Sequence, residues 1–115
     1  MMPATNMLTE ATEFEDENFE AYLQELVWPL LRFVRVTLPQ MNERRSGKIV
    51  GVTSATPLRA ISGLSVYSGA RGAQNAFVQV VGNEVAAHNV QFNAIGPAYI
   101  ANKYITPPGC WRMRR

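Results

Sequence analysis

The sequence predicts an α/β protein with a parallel sheet, on three observations: two long stretches with helical apolar spacing, a short β-branched segment after each, and turn residues between them. Read in order, helix, strand, helix and strand contain one βαβ unit. No internal repeat and no low-complexity segment interrupts it.

The first helix is expected to begin at Thr12, because Thr12-Glu13-Phe14-Glu15 has the hydroxyl-to-carboxylate spacing of a capping box. Glu13, Glu15, Asp16 and Glu17 place negative charge where a helix N-terminus is positive. Phe19, Tyr22, Leu23, Leu26, Val27, Leu30, Leu31, Phe33 and Val34 then recur in steps of three and four, a stripe broad enough to bury on more than one side. Trp28 reads as helix packing. Pro29 lacks a backbone donor and should bend this helix. Arg44 and Arg45 suit a helix C-terminus, and Gly47 is the expected stop.

Lys48 to Thr53 is expected to form a buried strand. A loop with Pro57, Ser62 and Gly63 leads to a helix from Ser65 to His88, and Gln91 to Ile95 forms the second strand, ended by Gly96-Pro97. Gly69, Gly72 and Gly82 lie inside that second helix, each costing about 1 kcal/mol against alanine. Gly69, Gly72, Ala73 and Ala76 permit a close helix contact, either within the chain or between subunits.

Composition narrows the function classes. Hydrophobic residues make up 47% and charged residues 17% of the 115, a globular balance in a chain long enough for one domain. The net charge is +2, and the basic residues gather at Arg44-Arg45 and after Lys103, so no basic stripe interleaved with aromatics marks a nucleic-acid face. Cys110 is the sole cysteine, which excludes an intrachain disulfide and a cysteine-built metal site and fits a reducing cytoplasm. The N-terminal residues lack the pattern of a secretory signal, and the apolar run Leu26–Leu38 is broken by Pro29, Arg32 and Arg35, too short to span a bilayer. A cytoplasmic protein with no membrane, metal or nucleic-acid partner is the expectation.

Three residues stand out by spacing. Ser54 follows the first strand, at the end where α/β sheets bind ligands. Tyr67 opens the second helix, and Arg71 is one turn beyond it on the same face. A phenol ionises near pH ~10, so a base role at neutrality needs a fixed neighbouring cation, which arginine supplies permanently. Taken singly, Ser54 reads as a turn hydroxyl, Tyr67 as core packing and Arg71 as a surface charge. His88, at a helix end, reads as a surface residue.

The stretches Ser54-Ala-Thr-Pro, Tyr67-Ser-Gly-Ala-Arg71 and Asn93-Ala-Ile-Gly-Pro-Ala-Tyr99 resemble the catalytic part of halohydrin dehalogenases, relatives of the short-chain dehydrogenases that carry arginine in place of the lysine of Tyr-x-x-x-Lys. The resemblance runs over residues 12–108; Gly109 to Arg115 departs from it, as a frameshifted or read-through tail would. It implies a partial Rossmann-like fold, one incomplete domain over 1–115, and Ser54, Tyr67 and Arg71 as catalytic triad. It also implies a halide or substrate pocket at Pro97, Ala98, Tyr99 and Ile100, no cofactor, and a halohydrin or epoxide with halide as small-molecule partners.

Two other readings stand beside this one. One is an NAD(P)-dependent oxidoreductase with a variant arginine. Against it, the fingerprint Gly-x-x-x-Gly-x-Gly is absent, Pro97 is followed by Ala98 and not glycine, and Leu26 falls where dehydrogenases usually carry an asparagine. The other is a non-catalytic fragment that only associates with a partner subunit. Homo-oligomer formation through the two long helices is expected in either case, because two strands leave much apolar helix surface uncovered.

Overall fold

A computed structural model describes residues 8–98 and 100. Helix α1 spans Asp16–Tyr22, a π-helical segment Leu23–Val27, helix α2 Trp28–Arg44 and strand β1 Gly47–Val52. A short 3-10 turn, Thr56–Leu58, precedes helix α3, Ser65–Ala86, and strand β2, Val90–Ile95. The strands pair in parallel, in register from Gly47 opposite Val90 to Val52 opposite Ile95. The expected α/β order is thus observed, as a partial Rossmann-like arrangement.

The beginning of the first helix differs from expectation. Thr12 lies in a turn closed by Glu13 N–H on the Glu10 carbonyl, and α1 starts only at Asp16. Glu15, the N-cap, is extended and makes no side-chain capping bond. The segment before it is held elsewhere: Thr9 N–H donates to the Gly63 carbonyl at 2.8 Å, which tethers it to the loop before α3. Asp16 and Glu17 still place their charge in the first turn.

At Pro29, where a bend is expected, the structure shows a π-helical turn just before it. Pro29 stands at the second position of α2, one residue after the π segment. There the Trp28 N–H reaches back five residues to the Leu23 carbonyl. A proline cannot donate to the carbonyl four residues back and its ring crowds that group, so the preceding turn widens.

Gly47 does not stop α2. Arg45 adopts the left-handed conformation (φ 54°), with Arg45 N–H on the Asn42 carbonyl and Ser46 N–H on the Met41 carbonyl, the Schellman pairing. Arginine is tolerated there because it is tied down: its Nη2 donates to the Ala87 carbonyl at 2.9 Å, and Asn89 Nδ2 donates to the Arg45 carbonyl at 2.9 Å. Gly47 instead opens β1, where a Cβ would stand 2.6 Å from Met41 Sδ.

Two apolar clusters share α3. Val78, Val81 and Val85 pack with Val34 of α2, Ile49 of β1, and Val90 and Phe92 of β2. Nearer its N-terminus, Ala70 packs with Tyr22 and Val27. Both long helices therefore cover one face of the sheet. The other face carries Lys48, Val50, Val52 and Ile95, with Val52 67% exposed, so β1, expected to be buried, is buried on one side. Trp28 is also exposed (40%), with the Arg32 guanidinium 5.5 Å above its ring, rather than packed inside.

The small residues of α3 divide between surroundings. Gly69 meets Phe19 of α1, Ala73 and Ala76 are exposed, and Gly82 lies against β2. A Cβ on Gly82 would stand 2.8 Å from the Phe92 carbonyl oxygen, and backbone cannot swing aside.

This contrast yields a paired prediction. Gly69→Ala meets only ordinary contact at 3.7 Å and should stabilise by up to about 1 kcal/mol through helix propensity. Gly82→Ala should instead lose about 1–3 kcal/mol by forcing α3 off the sheet. Urea midpoints of the two variants read the difference; equal rises in both would mean the helix is free to shift.

Candidate active site

The carboxyl ends of β1 and β2 stay joined beyond the strands. Thr53 N–H donates to the Ile95 carbonyl at 2.9 Å, and Ala55 N–H to the Pro97 carbonyl at 3.2 Å. Gly96 abuts the Ser54 backbone, where a Cβ would stand 3.1 Å from the Ser54 carbonyl carbon. Pro97 is thereby held beside the loop that bears Ser54. Ala98 and Ile100 are exposed, and Tyr99 lies outside the described residues.

Ser54 is buried, and its hydroxyl is occupied locally. Thr56 N–H donates to Ser54 Oγ at 3.2 Å, and the two hydroxyl oxygens are 2.9 Å apart. Asn75 of α3 fixes the same residue from behind, donating from Nδ2 to the Ser54 carbonyl at 3.2 Å. If the Thr56 hydroxyl is the donor, Ser54 keeps its own proton to give to a substrate oxygen.

Tyr67 and Arg71 are brought together as their spacing requires. Arg71 Nε donates to the Tyr67 hydroxyl oxygen at 2.9 Å, and the guanidinium carbon lies 5.2 Å from the ring centroid. Arg71 Nη1 donates to Gln74 Oε1 at 2.9 Å and approaches the Val52 carbonyl at 3.5 Å, so the cation reaches the end of β1, two residues before Ser54. The three predicted catalytic residues share this end of the sheet. The Ser54 hydroxyl bonds Thr56 there, while the phenol oxygen is held by Arg71. An open groove of about 750 Å³ runs along α3 and β2 from Ser54 to Phe92, but neither Tyr67 nor Arg71 lines it.

The sequence reading missed Gln74, Asn75, Thr56 and Tyr22. Gln74 had a visible signal, a carboxamide on the buried stripe Ala70, Gln74, Val78, Val81, Val85. Tyr22 packs edge-on against Tyr67, ring centroids 5.5 Å apart, and its buried hydroxyl has no hydrogen-bond partner. Burial, then the neighbouring Tyr67 and Glu25, push its pKa above the ordinary tyrosine value. His88 is exposed, as expected. Among the described residues no three His, Cys, Asp or Glu gather as metal ligands, and no helix is long and apolar enough to cross a membrane.

A family model described as short chain dehydrogenase matches residues 4–107. The chain belongs to the short-chain dehydrogenase family. It is 29% identical over 100 residues to 2-dehydro-3-deoxy-D-gluconate 5-dehydrogenase of Formosa agariphila, covering 86% of this chain and 38% of that protein. It is 28% identical over 102 residues to acetoacetyl-CoA reductase of an Acinetobacter species, covering 86% and 41%. Among solved structures, a dehalogenation enzyme superposes with a TM-score of 0.80 at 31% identity, covering 91% of this chain and 43% of that one. A halohydrin dehalogenase bound to ethyl (2S)-oxiran-2-ylacetate superposes at 0.76 with 25% identity, covering 84% and 38%. The chain therefore spans well under half the length of each of these relatives.

Short-chain dehydrogenases imply a nicotinamide dinucleotide, and one position here departs from the family's set for holding it. The cation beside Tyr67 is an arginine already bonded to Tyr67 and Gln74, where the family's lysine would hold the nicotinamide ribose.

The orphaned hydroxyl of Tyr22 gives a second prediction. A buried group without a partner costs about 1–3 kcal/mol, so Tyr22→Phe should match or exceed the parent in stability near neutrality. A raised pKa means the folded state favours the neutral phenol. That contribution is complete below the ordinary value of 10.0 and is lost as pH rises through the raised one. Thermal unfolding at about pH 8 and about pH 11 should show a smaller alkaline loss in Tyr22→Phe; parallel losses would place the alkaline sensitivity elsewhere.

Proposed function

We propose that this chain carries the catalytic segment of a halohydrin dehalogenase-like enzyme, which converts a vicinal halohydrin to an epoxide and halide and opens epoxides with small anions in reverse. The observation that carries this reading is the 2.9 Å bond from Arg71 Nε to the Tyr67 hydroxyl oxygen, an arginine serving the tyrosine where dehydrogenases use lysine. The 31% identity to a dehalogenation enzyme supports it.

In this reading Tyr67 accepts the proton of the substrate hydroxyl, and Arg71 stabilises the charge on the phenol oxygen. Ser54 donates a hydrogen bond to the same substrate oxygen. That oxygen forms a bond to the neighbouring carbon while the carbon–halogen bond breaks, and the halide leaves with the electron pair. The attack is intramolecular, so the gain comes from holding substrate oxygen and leaving group in line. The loop of Pro97, Ala98, Tyr99 and Ile100 receives the halide, a role supported at its first residue, where the Pro97 carbonyl accepts from Ala55 N–H, next to Ser54.

A second reading, an NAD(P)-dependent oxidoreductase, is favoured by the curated relatives, which are named as a dehydrogenase and a reductase. There the Tyr67–Arg71 pair would serve the oxygen of a carbonyl or alcohol, and the dinucleotide would have to be held by residues other than those described.

Halide release from a simple vicinal bromo-alcohol, measured across pH on this chain or a longer protein containing it, tests the first reading. Tyr67→Phe should lower turnover at least about 10³-fold. Arg71→Lys should cost less and displace the pH optimum, and Ser54→Ala should lose about tenfold. The losses should be non-additive, because all three groups act on one oxygen. Full halide release by Tyr67→Phe would remove the triad. Micromolar NADH or NADPH binding by calorimetry, with no halide release by the parent protein, would transfer the assignment to the oxidoreductase reading.

A further inference from the structure

Gln74 is one of three buried polar side chains among the described residues, with Thr53 and Ser54, and it is 4% exposed. A carboxamide so placed is costly unless both of its ends are satisfied. Both are: Oε1 accepts from Arg71 Nη1 at 2.9 Å, and Nε2 donates to the Leu26 carbonyl at 2.7 Å. The orientation of the amide follows from its partners. A guanidinium only donates and a backbone carbonyl only accepts, so the flipped amide would lose both bonds.

The two partners belong to different parts of the fold. Arg71 lies one turn before Gln74 on α3, while Leu26 belongs to the π segment. The carbonyl of the π segment therefore holds Gln74, Gln74 holds one arm of the guanidinium, and the guanidinium presents Nε to the Tyr67 oxygen. The geometry points to Gln74 as a positioning residue that fixes Arg71 and holds its charge against the phenol oxygen of Tyr67. This rests on the reading of Tyr67 and Arg71 as an acid–base pair. It also gives position 26 a part that its leucine side chain conceals, since the anchor is the main-chain carbonyl. The groups facing Tyr67 are Arg71 from its own helix and Tyr22 from α1, with Glu25 of the π segment acting on Tyr22.

Two readouts on the intact chain test the assignment. The first is the ultraviolet titration of Tyr67, taken as the difference between each protein and its Tyr67→Phe counterpart, which needs no turnover. Gln74→Glu keeps the shape, loses the donor to Leu26 and sets a carboxylate against the guanidinium. It should move the Tyr67 midpoint upward by about one pH unit with unchanged circular dichroism. The second is a double-mutant cycle. Gln74→Leu alone should displace the midpoint, but in an Arg71→Met background it should change it by less than about 0.3 pH unit, because the route runs through Arg71. An unmoved midpoint in Gln74→Glu, or equal effects of Gln74→Leu with and without Arg71, overturns the assignment. Absence of halide release with the predicted titration shifts would instead remove the dehalogenase reading and leave the positioning role intact.

Discussion

Helix α3 can approach the sheet only as closely as Gly82 permits, and the rest of the structure is arranged around that approach. Without a side chain at this position the helix comes down onto the Phe92 carbonyl, and Val78, Val81 and Val85 reach Ile49, Val90 and Phe92. The other half of the same helix packs Ala70 against Tyr22 and Val27. One rigid element thus belongs to both apolar clusters, and its first turns carry Tyr67 and Arg71. The glycine that weakens the helix intrinsically is what lets it pack against the sheet while carrying Tyr67 and Arg71.

The site also depends on how a fixed positive charge is accommodated against the fold. Arg71 is met by the phenol oxygen, a carboxamide oxygen and a backbone carbonyl. Neutral acceptors hold the guanidinium in one orientation without cancelling its charge, so the charge remains to act on the phenol oxygen. A carboxylate in the place of Gln74 would hold the arm as well and neutralise its effect. The neighbouring unpartnered hydroxyl of Tyr22 stays neutral to higher pH than an ordinary phenol, because burial, then Tyr67 and Glu25, raise its pKa.

Among the described residues, the sheet is covered on one side only. Parallel sheets generally bury both faces, yet Val50, Val52 and Ile95 here are exposed while Ile49, Val90 and Phe92 are core. β-branched composition marks a residue as suited to a sheet and says nothing of which face is covered. The expectation of a buried strand therefore holds for one face of β1 and not the other, and Trp28, expected to pack, is exposed because helical spacing leaves open how wide a stripe its neighbours can cover.

By itself the sequence determined the order of elements, the parallel pairing, and the Tyr67–Arg71 contact. The order and the contact follow from local periodicity, turn residues and i,i+4 geometry, which a single chain segment fixes; the parallel pairing follows from that order, because a crossover helix returns the second strand parallel to the first. It also located the disturbance at Pro29, because a missing donor is a property of the residue. The tertiary structure alone decided the rest. It replaced the Thr12 capping box with a tether to Gly63, and it made Arg45 rather than Gly47 the left-handed cap by bonding that residue to Ala87 and Asn89. It turned Gln74 from a polar residue on an apolar stripe into the link between the π segment and the guanidinium, and it paired the Ser54 hydroxyl with Thr56. Except for the pairing of Ser54 with Thr56, each of these depends on a partner more than forty residues away along the chain, so no local pattern could announce it.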